Sequence, residues 1–208
     1  MRRLTVAAAA LLLLAAGALG GWLALASNAS ASADVWHSPS AHAWAHFTTA
    51  DPVYPCVRVE TDVLAMNWVE HSPPAKPVQG TVLIVVVEVW DDCEDMQIKL
   101  YFGWTHMADV QVRAGTGSAS GIVPVCNPDG TDCHDLDVSL DWKNGGSTRD
   151  VTFLKIHLPA CKVHEISGSR PATASGTIVV NDRGINLTPD PAVAARLNAS
   201  QSGSVCKV

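Results

Sequence analysis

Between Leu136 and Trp142 every second residue is apolar. Leu136, Val138, Leu140 and Trp142 share one side, and Asp137, Ser139 and Asp141 share the other. That two-residue period marks a strand with one buried and one wet face. Residues 151–157 repeat it less cleanly: Val151, Phe153 and Lys155 oppose Thr152, Leu154 and Ile156, which points to burial on both sides. Further β-branched or aromatic runs cover 57–68, 81–90, 96–105, 110–113, 121–125 and 174–180, with a short one at 185–187. Turn residues separate them: Asn127-Pro128-Asp129-Gly130, Asn144-Gly145-Gly146 and Asp182-Arg183-Gly184. About eight or nine short strands at this spacing predict an all-β fold, an antiparallel sandwich or barrel. One short C-terminal helix is expected, with Asp190 as its cap, Pro191 in its first turn and residues 192–198 continuing it.

The N-terminus follows another pattern. Met1-Arg2-Arg3 is positive, residues 4–26 are almost wholly apolar, and small residues follow, ending in Ala29-Ser30-Ala31 and Ala31-Ser32-Ala33. Charge, apolar stretch and small-residue exit stand in the order of a secretory signal peptide, read here as residues 1–33. The competing reading is an uncleaved signal anchor, because about 20 apolar residues span a bilayer. Gly17, Gly20 and Gly21 interrupt the stretch, no Cys closes it for a lipid anchor, and Leu4-Thr5-Val6 does not continue a twin-arginine motif. The division expected is signal 1–33, an extended Ser/Ala/His/Trp lead-in 34–55, and a single β domain 56–208.

All six cysteines fall after that signal: Cys56, Cys93, Cys126, Cys133, Cys161 and Cys206. An even number in an exported chain reads as three disulfides, and the absence of a C-x-x-C knuckle argues against zinc. Cys126 and Cys133 enclose a turn and are expected to bridge a hairpin end, with Cys161–Cys206 and Cys56–Cys93 as the other pairs. An internal echo relates Asp92-Cys93-Glu94-Asp95-Met96 to Asp132-Cys133-His134-Asp135-Leu136, and is read as two hairpins with a Cys at the start of the second strand. Without Arg2 and Arg3, 12 basic residues face 20 acidic ones. That balance argues against nucleic acid or an anionic membrane as partner, leaving an extracellular ligand or protein.

Candidate chemistry is sparse. Asp129, Asp132, Asp135 and Asp137 crowd one loop and strand start, the composition a calcium site draws on, although the EF-hand spacing fails. Solvated hairpin tips carry the same residues. His42 and His46 would chelate a metal on a helix, but on a strand they stand about 13 Å apart. No G-x-S-x-G elbow is present, and no pair of carboxylates is singled out for glycoside hydrolysis. Glu88, inside an apolar run, reads as a residue on the wet face. Trp36 and Trp44 are expected as exposed platforms for a carbohydrate or peptide; Trp90, Trp104 and Trp142, at strand ends, read as core.

Ala172, Ala174, Ser175, Gly176, Thr177 and Ile178, then Asn186, Thr188, Pro189, Pro191, Ser202 and Gly203, form an A-x-A-S-G-T-I strand followed by N-x-T-P-x-P and S-G. With Val138-Ser139-Leu140-Asp141-Trp142 and Asp92-Cys93, this resembles a group of uncharacterised small secreted bacterial β-domain proteins. The resemblance implies secretion and a β domain and carries over no active site. The function expected is a non-catalytic secreted or cell-surface β domain that binds a ligand or partner or has a structural role in the envelope, with no cofactor unless calcium. The alternative is a secreted hydrolase with an unrecognised His/carboxylate site.

Overall fold

A computed structural model describes residues 35–51, 54–71, 75–113, 115–146, 150–158, 161–188 and 192–206. They form eleven strands: β1 (Val35–Ala50), β2 (Val57–Glu70), β3 (Val78–Asp91), β4 (Met96–Thr105), β5 (Asp109–Val112), β6 (Thr116–Cys126), β7 (Cys133–Asn144), β8 (Asp150–His157), β9 (Cys161–Val180), β10 (Ile185–Asn186) and β11 (Ala194–Cys206). All belong to one antiparallel sheet.

Neighbour follows neighbour through β11, β1, β2, β3, β4, β6 and β7, and both ends of that path pair with β9. Residues 161–171 of β9 pair with β11 and residues 172–180 with β7. The change of partner falls at Pro171, which has no N–H for a ladder; its carbonyl accepts instead from Gly145 N at 3.0 Å. β8 pairs only with β9 among the described residues.

One face of the sheet makes the core. Ala43, Ala45 and Phe47 of β1 lie opposite Ala65, Val63 and Thr61 of β2, which in turn face Leu83, Val85 and Val87 of β3. Leu136, Val138, Leu140 and Trp142 of β7 close the same core against Val180, Ile178 and Ala174 of β9. The alternation read from 136–142 is therefore realised residue by residue. Trp142, 1% exposed, donates its indole N–H to the carbonyl of Trp44 at 3.1 Å, tying β7 to β1 through the interior. Gly176 sits where β7 and β9 approach closely: a Cβ there would lie 2.0 Å from the Ser139 carbonyl oxygen.

Three expectations change. The C-terminal helix is replaced by β11 over residues 194–198, while Asp190 and Pro191 lie outside the described residues. Ala195 and Leu197 are buried and Arg196 is exposed, a two-residue period that suits pairing with both β1 and β9 better than a solvent-facing helix. The lead-in 34–55 contains β1, which is no appendage: it lies between β2 and β11. Its Ala43 and Ala45 are fully buried between β11 and β2. Residues 151–157, read as buried on both sides, form a strand whose residues are all exposed.

Among the described side chains, which do not include those of Cys161 and Cys206, two disulfides are formed, Cys56–Cys93 and Cys126–Cys133. Cys126 faces Cys133 directly in the β6–β7 register, with Cα atoms 4.1 Å apart, close to the spacing of a non-hydrogen-bonded antiparallel pair. The echoing cysteines are used differently: Cys93 lies in the turn before β4 and reaches back to Cys56 ahead of β2. Cys161 and Cys206 are opposite each other in the β9–β11 register. No helix among the described residues is long and apolar enough to cross a membrane; the apolar stretch 4–26 lies outside them.

Candidate ligand-binding face

The face of the sheet turned away from the core carries the unusual chemistry. Register places Thr152 (β8), Ser167 (β9), Ser200 (β11), Ser40 (β1) and Trp68 (β2) in one row across five strands. The adjacent row is Asp150, Ser169, Asn198, His42 and Met66. These positions follow from the two-residue period: the alternate residues of β1 fill the core with Ala41, Ala43 and Ala45. A cavity of about 210 Å³ opens over the rows, lined by His42, Asp150, Thr152, Ser167, Asn198 and Ser200 among others.

Ser40 and Ser200 share a hydroxyl–hydroxyl bond of 2.7 Å at the cavity edge. His42 makes no hydrogen bond or ion pair within the described residues, and its burial pushes the imidazole below its ordinary value. The ring is thus neutral at neutral pH, with one donor and one acceptor to offer.

Beside the cavity stands an aromatic shelf. The Trp68 ring covers Gly80, where a Cβ would come within 2.2 Å of it, so a bare backbone is needed beneath the indole. His106 meets Trp68 edge to face at 6.3 Å and Trp104 at 5.0 Å. Its Nδ1 is held by the Thr81 carbonyl at 2.7 Å. Trp104 is 53% exposed and Met107 stands further out.

A second polar cluster lies at the β4, β6–β7 end. Tyr101 donates its hydroxyl to Asp132 at 2.7 Å, and the Lys99 ammonium reaches both Tyr101 and Asp132 at 3.1 and 3.4 Å. His134 sits between Asp132 (3.1 Å) and Asp182 (3.0 Å). The Tyr101 hydrogen bond holds the Asp132 carboxyl below its ordinary value, and the contact with Tyr101 raises the Lys99 ammonium. A groove of about 320 Å³ runs beside Lys99, Tyr101, Asn127 and Asp132.

The acidic residues singled out by sequence part company here. Asp132 is engaged by Tyr101, Lys99 and His134, whereas Asp135 and Asp137 alternate with buried Leu136 and Val138 and so point outward. Asp129 is exposed in the intervening turn. Among the described residues the one group of three metal-ligating side chains is Cys56, Asp91 and Cys93, and both cysteines are disulfide-bonded. His42 and His46 share a face of β1 at strand spacing; His46 and the Trp44 indole both bond Asp62, at 3.2 and 3.1 Å. Trp44 is half-buried by this, and the side chain of Trp36 lies outside the described residues. Glu88 does lie on the outer face, yet it is only 8% exposed and accepts from the Trp90 indole at 3.0 Å.

Trp104 reads as core from its place at a strand end; instead it is one of the most exposed aromatic side chains. Its parity is the missed signal: it alternates with Gly103, which fills the core side so tightly that a Cβ would meet the Pro124 carbonyl at 1.9 Å. The Ser- and Gly-rich runs 167–169 and 198–203 were equally silent, because hydroxyls on a strand look like loop in a single sequence. The chain matches no known protein-family model, no curated protein and no solved structure.

Proposed function

We propose that this chain is an exported, non-catalytic binding domain whose ligand surface is the outer face of β8, β9, β11, β1 and β2. The observation that carries this reading is the polar cavity around His42, a half-buried imidazole with no hydrogen-bond partner among the described residues, beside an aromatic shelf. Binding sites are concave, with a few polar groups set next to aromatic or apolar surface. Export is supported by the N-terminal pattern and by the disulfides Cys56–Cys93 and Cys126–Cys133. We read the returning circuit of ladders as a small barrel filled by its own side chains, a rigid support for such a face.

The polar clusters favour binding over catalysis. Tyr101, Asp132, His134 and Asp182 satisfy one another, which suits a clamp between β4, β7 and the 181–184 turn. His42 shares its cavity with Asp150 and several serines, the observation that keeps a hydrolase in view. No hydrogen bond joins it to a carboxylate or hydroxyl among the described residues, so the nucleophile–base–orienter relay is not assembled. The test is a thermal-shift screen of the processed chain against sugars, peptides and small metabolites. A ligand that raises Tm in the wild type but not in Asn198→Ala supports the reading. Turnover of that ligand, or an equal rise in both proteins, contradicts it.

A further inference from the structure

The ligand class follows from the donors and acceptors, given the binding reading above. We infer that the outer face binds a neutral oligosaccharide, its ring faces on the Trp68–Trp104 shelf and its hydroxyls over the His42 cavity. Thr152, Ser167, Ser169 and Ser200 each offer a hydroxyl, Asn198 an amide, and His42 an imidazole. Each of these groups both donates and accepts, as a sugar hydroxyl does. No lysine or arginine lines the cavity, and its one carboxylate, Asp150, repels anions. A phosphate, sulfate or uronate ligand is therefore poorly matched, and a peptide would find few apolar pockets for its side chains.

Size argues the same way. From Thr152 to Trp68 the row crosses five strands, or about 19 Å at the usual strand spacing of about 4.8 Å. A monosaccharide cannot reach from one end to the other, whereas a chain of several rings can. Aromatic faces take the C–H face of a pyranose as they take other apolar faces, while the ring's edge keeps its hydroxyls for the strand side chains. The half-buried Trp68, fixed over Gly80, is pre-set for this and loses little freedom on binding.

The experiment is calorimetric titration of the processed chain with neutral gluco-, manno-, xylo- and N-acetylgluco-oligosaccharides of two to six units. Inorganic phosphate, oligogalacturonate and an unstructured peptide are run in parallel. One neutral series should bind, with affinity rising with length. Thr152→Val, a near-isosteric change at an exposed strand position, should weaken it about tenfold, the equivalent of one hydrogen bond. Trp104→Ala should weaken it by a similar factor without lowering Tm. Binding only of the oligogalacturonate or the peptide, with the same sensitivity to Thr152→Val, overturns the assignment to a neutral oligosaccharide and leaves the face standing as a ligand surface. Neutral-sugar binding indifferent to Thr152→Val, Asn198→Ala and Trp104→Ala overturns the placement of the site. Absence of binding across the neutral series at millimolar sugar overturns the inference.

Discussion

Thr61 is fully buried on the core face of β2, opposite Phe47 of β1 and Val87 of β3, and its hydroxyl oxygen has no hydrogen-bond partner among the described residues. Burying an unpaired hydroxyl costs about 1–3 kcal/mol by protein mutational measures. Thr61→Val keeps the β-branched shape, removes that cost and adds a methyl in contact with apolar neighbours. The change should stabilise the fold by about 1–2 kcal/mol. For a chain of this size each kcal/mol moves Tm by about 2–4 °C, so differential scanning calorimetry should show a rise of about 2–8 °C. Thr61→Ser is the control: it keeps the hydroxyl, loses the methyl and should lower Tm, by about 1 kcal/mol of lost apolar burial. A lower Tm for Thr61→Val would mean that the hydroxyl is bonded and that the packing of β1, β2 and β3 differs from the register given above.

Trp142→Phe leaves the Trp44 carbonyl without its indole donor and should cost about 1–3 kcal/mol in urea unfolding. Exposed Phe153, at 73%, should tolerate Phe153→Ser within about 0.5 kcal/mol. His42 gives the pH dependence. Its folded value is depressed by burial, so between that value and its ordinary 6.5 the unfolded chain binds more protons. Its contribution to stability is thus complete above pH 6.5 and is lost as pH falls through that window; His42→Asn should flatten the Tm–pH curve there, and an unchanged curve would refute the assignment. In the loop-entropy model, losing Cys126–Cys133, separated by 7 residues, costs about 2.5 kcal/mol, and losing Cys56–Cys93, separated by 37, costs about 4 kcal/mol. Denatured, unreduced protein should yield no free thiol, because Cys161 and Cys206 face each other across β9 and β11 as Cys126 and Cys133 do across β6 and β7; two thiols per chain would leave that pair open.

Where side chains alternate between apolar and charged, the sequence is transparent. Leu136, Val138, Leu140 and Trp142 lie on the core face as their period requires, with Asp137, Ser139 and Asp141 exposed between them. Legibility fails where strands are built from Ser, Ala, Gly and His. β1, the first half of β9, and β11 carry too few β-branched residues to announce themselves, and their extended form depends on neighbours distant in sequence: Ala43 faces Leu197 on one side and Ala65 on the other. The helix expected at 192–198 has the same origin, since Pro191 and the alanines satisfy local helix preference while pairing on both sides overrides it. The candidate site was obscure for the same reason. Its hydroxyls come from β8, β9, β11 and β1, and nothing in any one segment indicates that they share a face. Trp44 was visible as a residue of interest, but its indole is committed to Asp62, and the more exposed platform is Trp104.

The proposed outer face as a sugar-binding surface is tested most directly by the indole N–H resonances of the ¹⁵N-labelled protein. Trp68 and Trp104 lie on the shelf, whereas Trp142 is sealed in the core with its N–H on the Trp44 carbonyl. Saturating neutral oligosaccharide should move the Trp68 and Trp104 signals and leave that of Trp142 in place. Movement of Trp142 with Trp68 and Trp104 stationary would contradict the account.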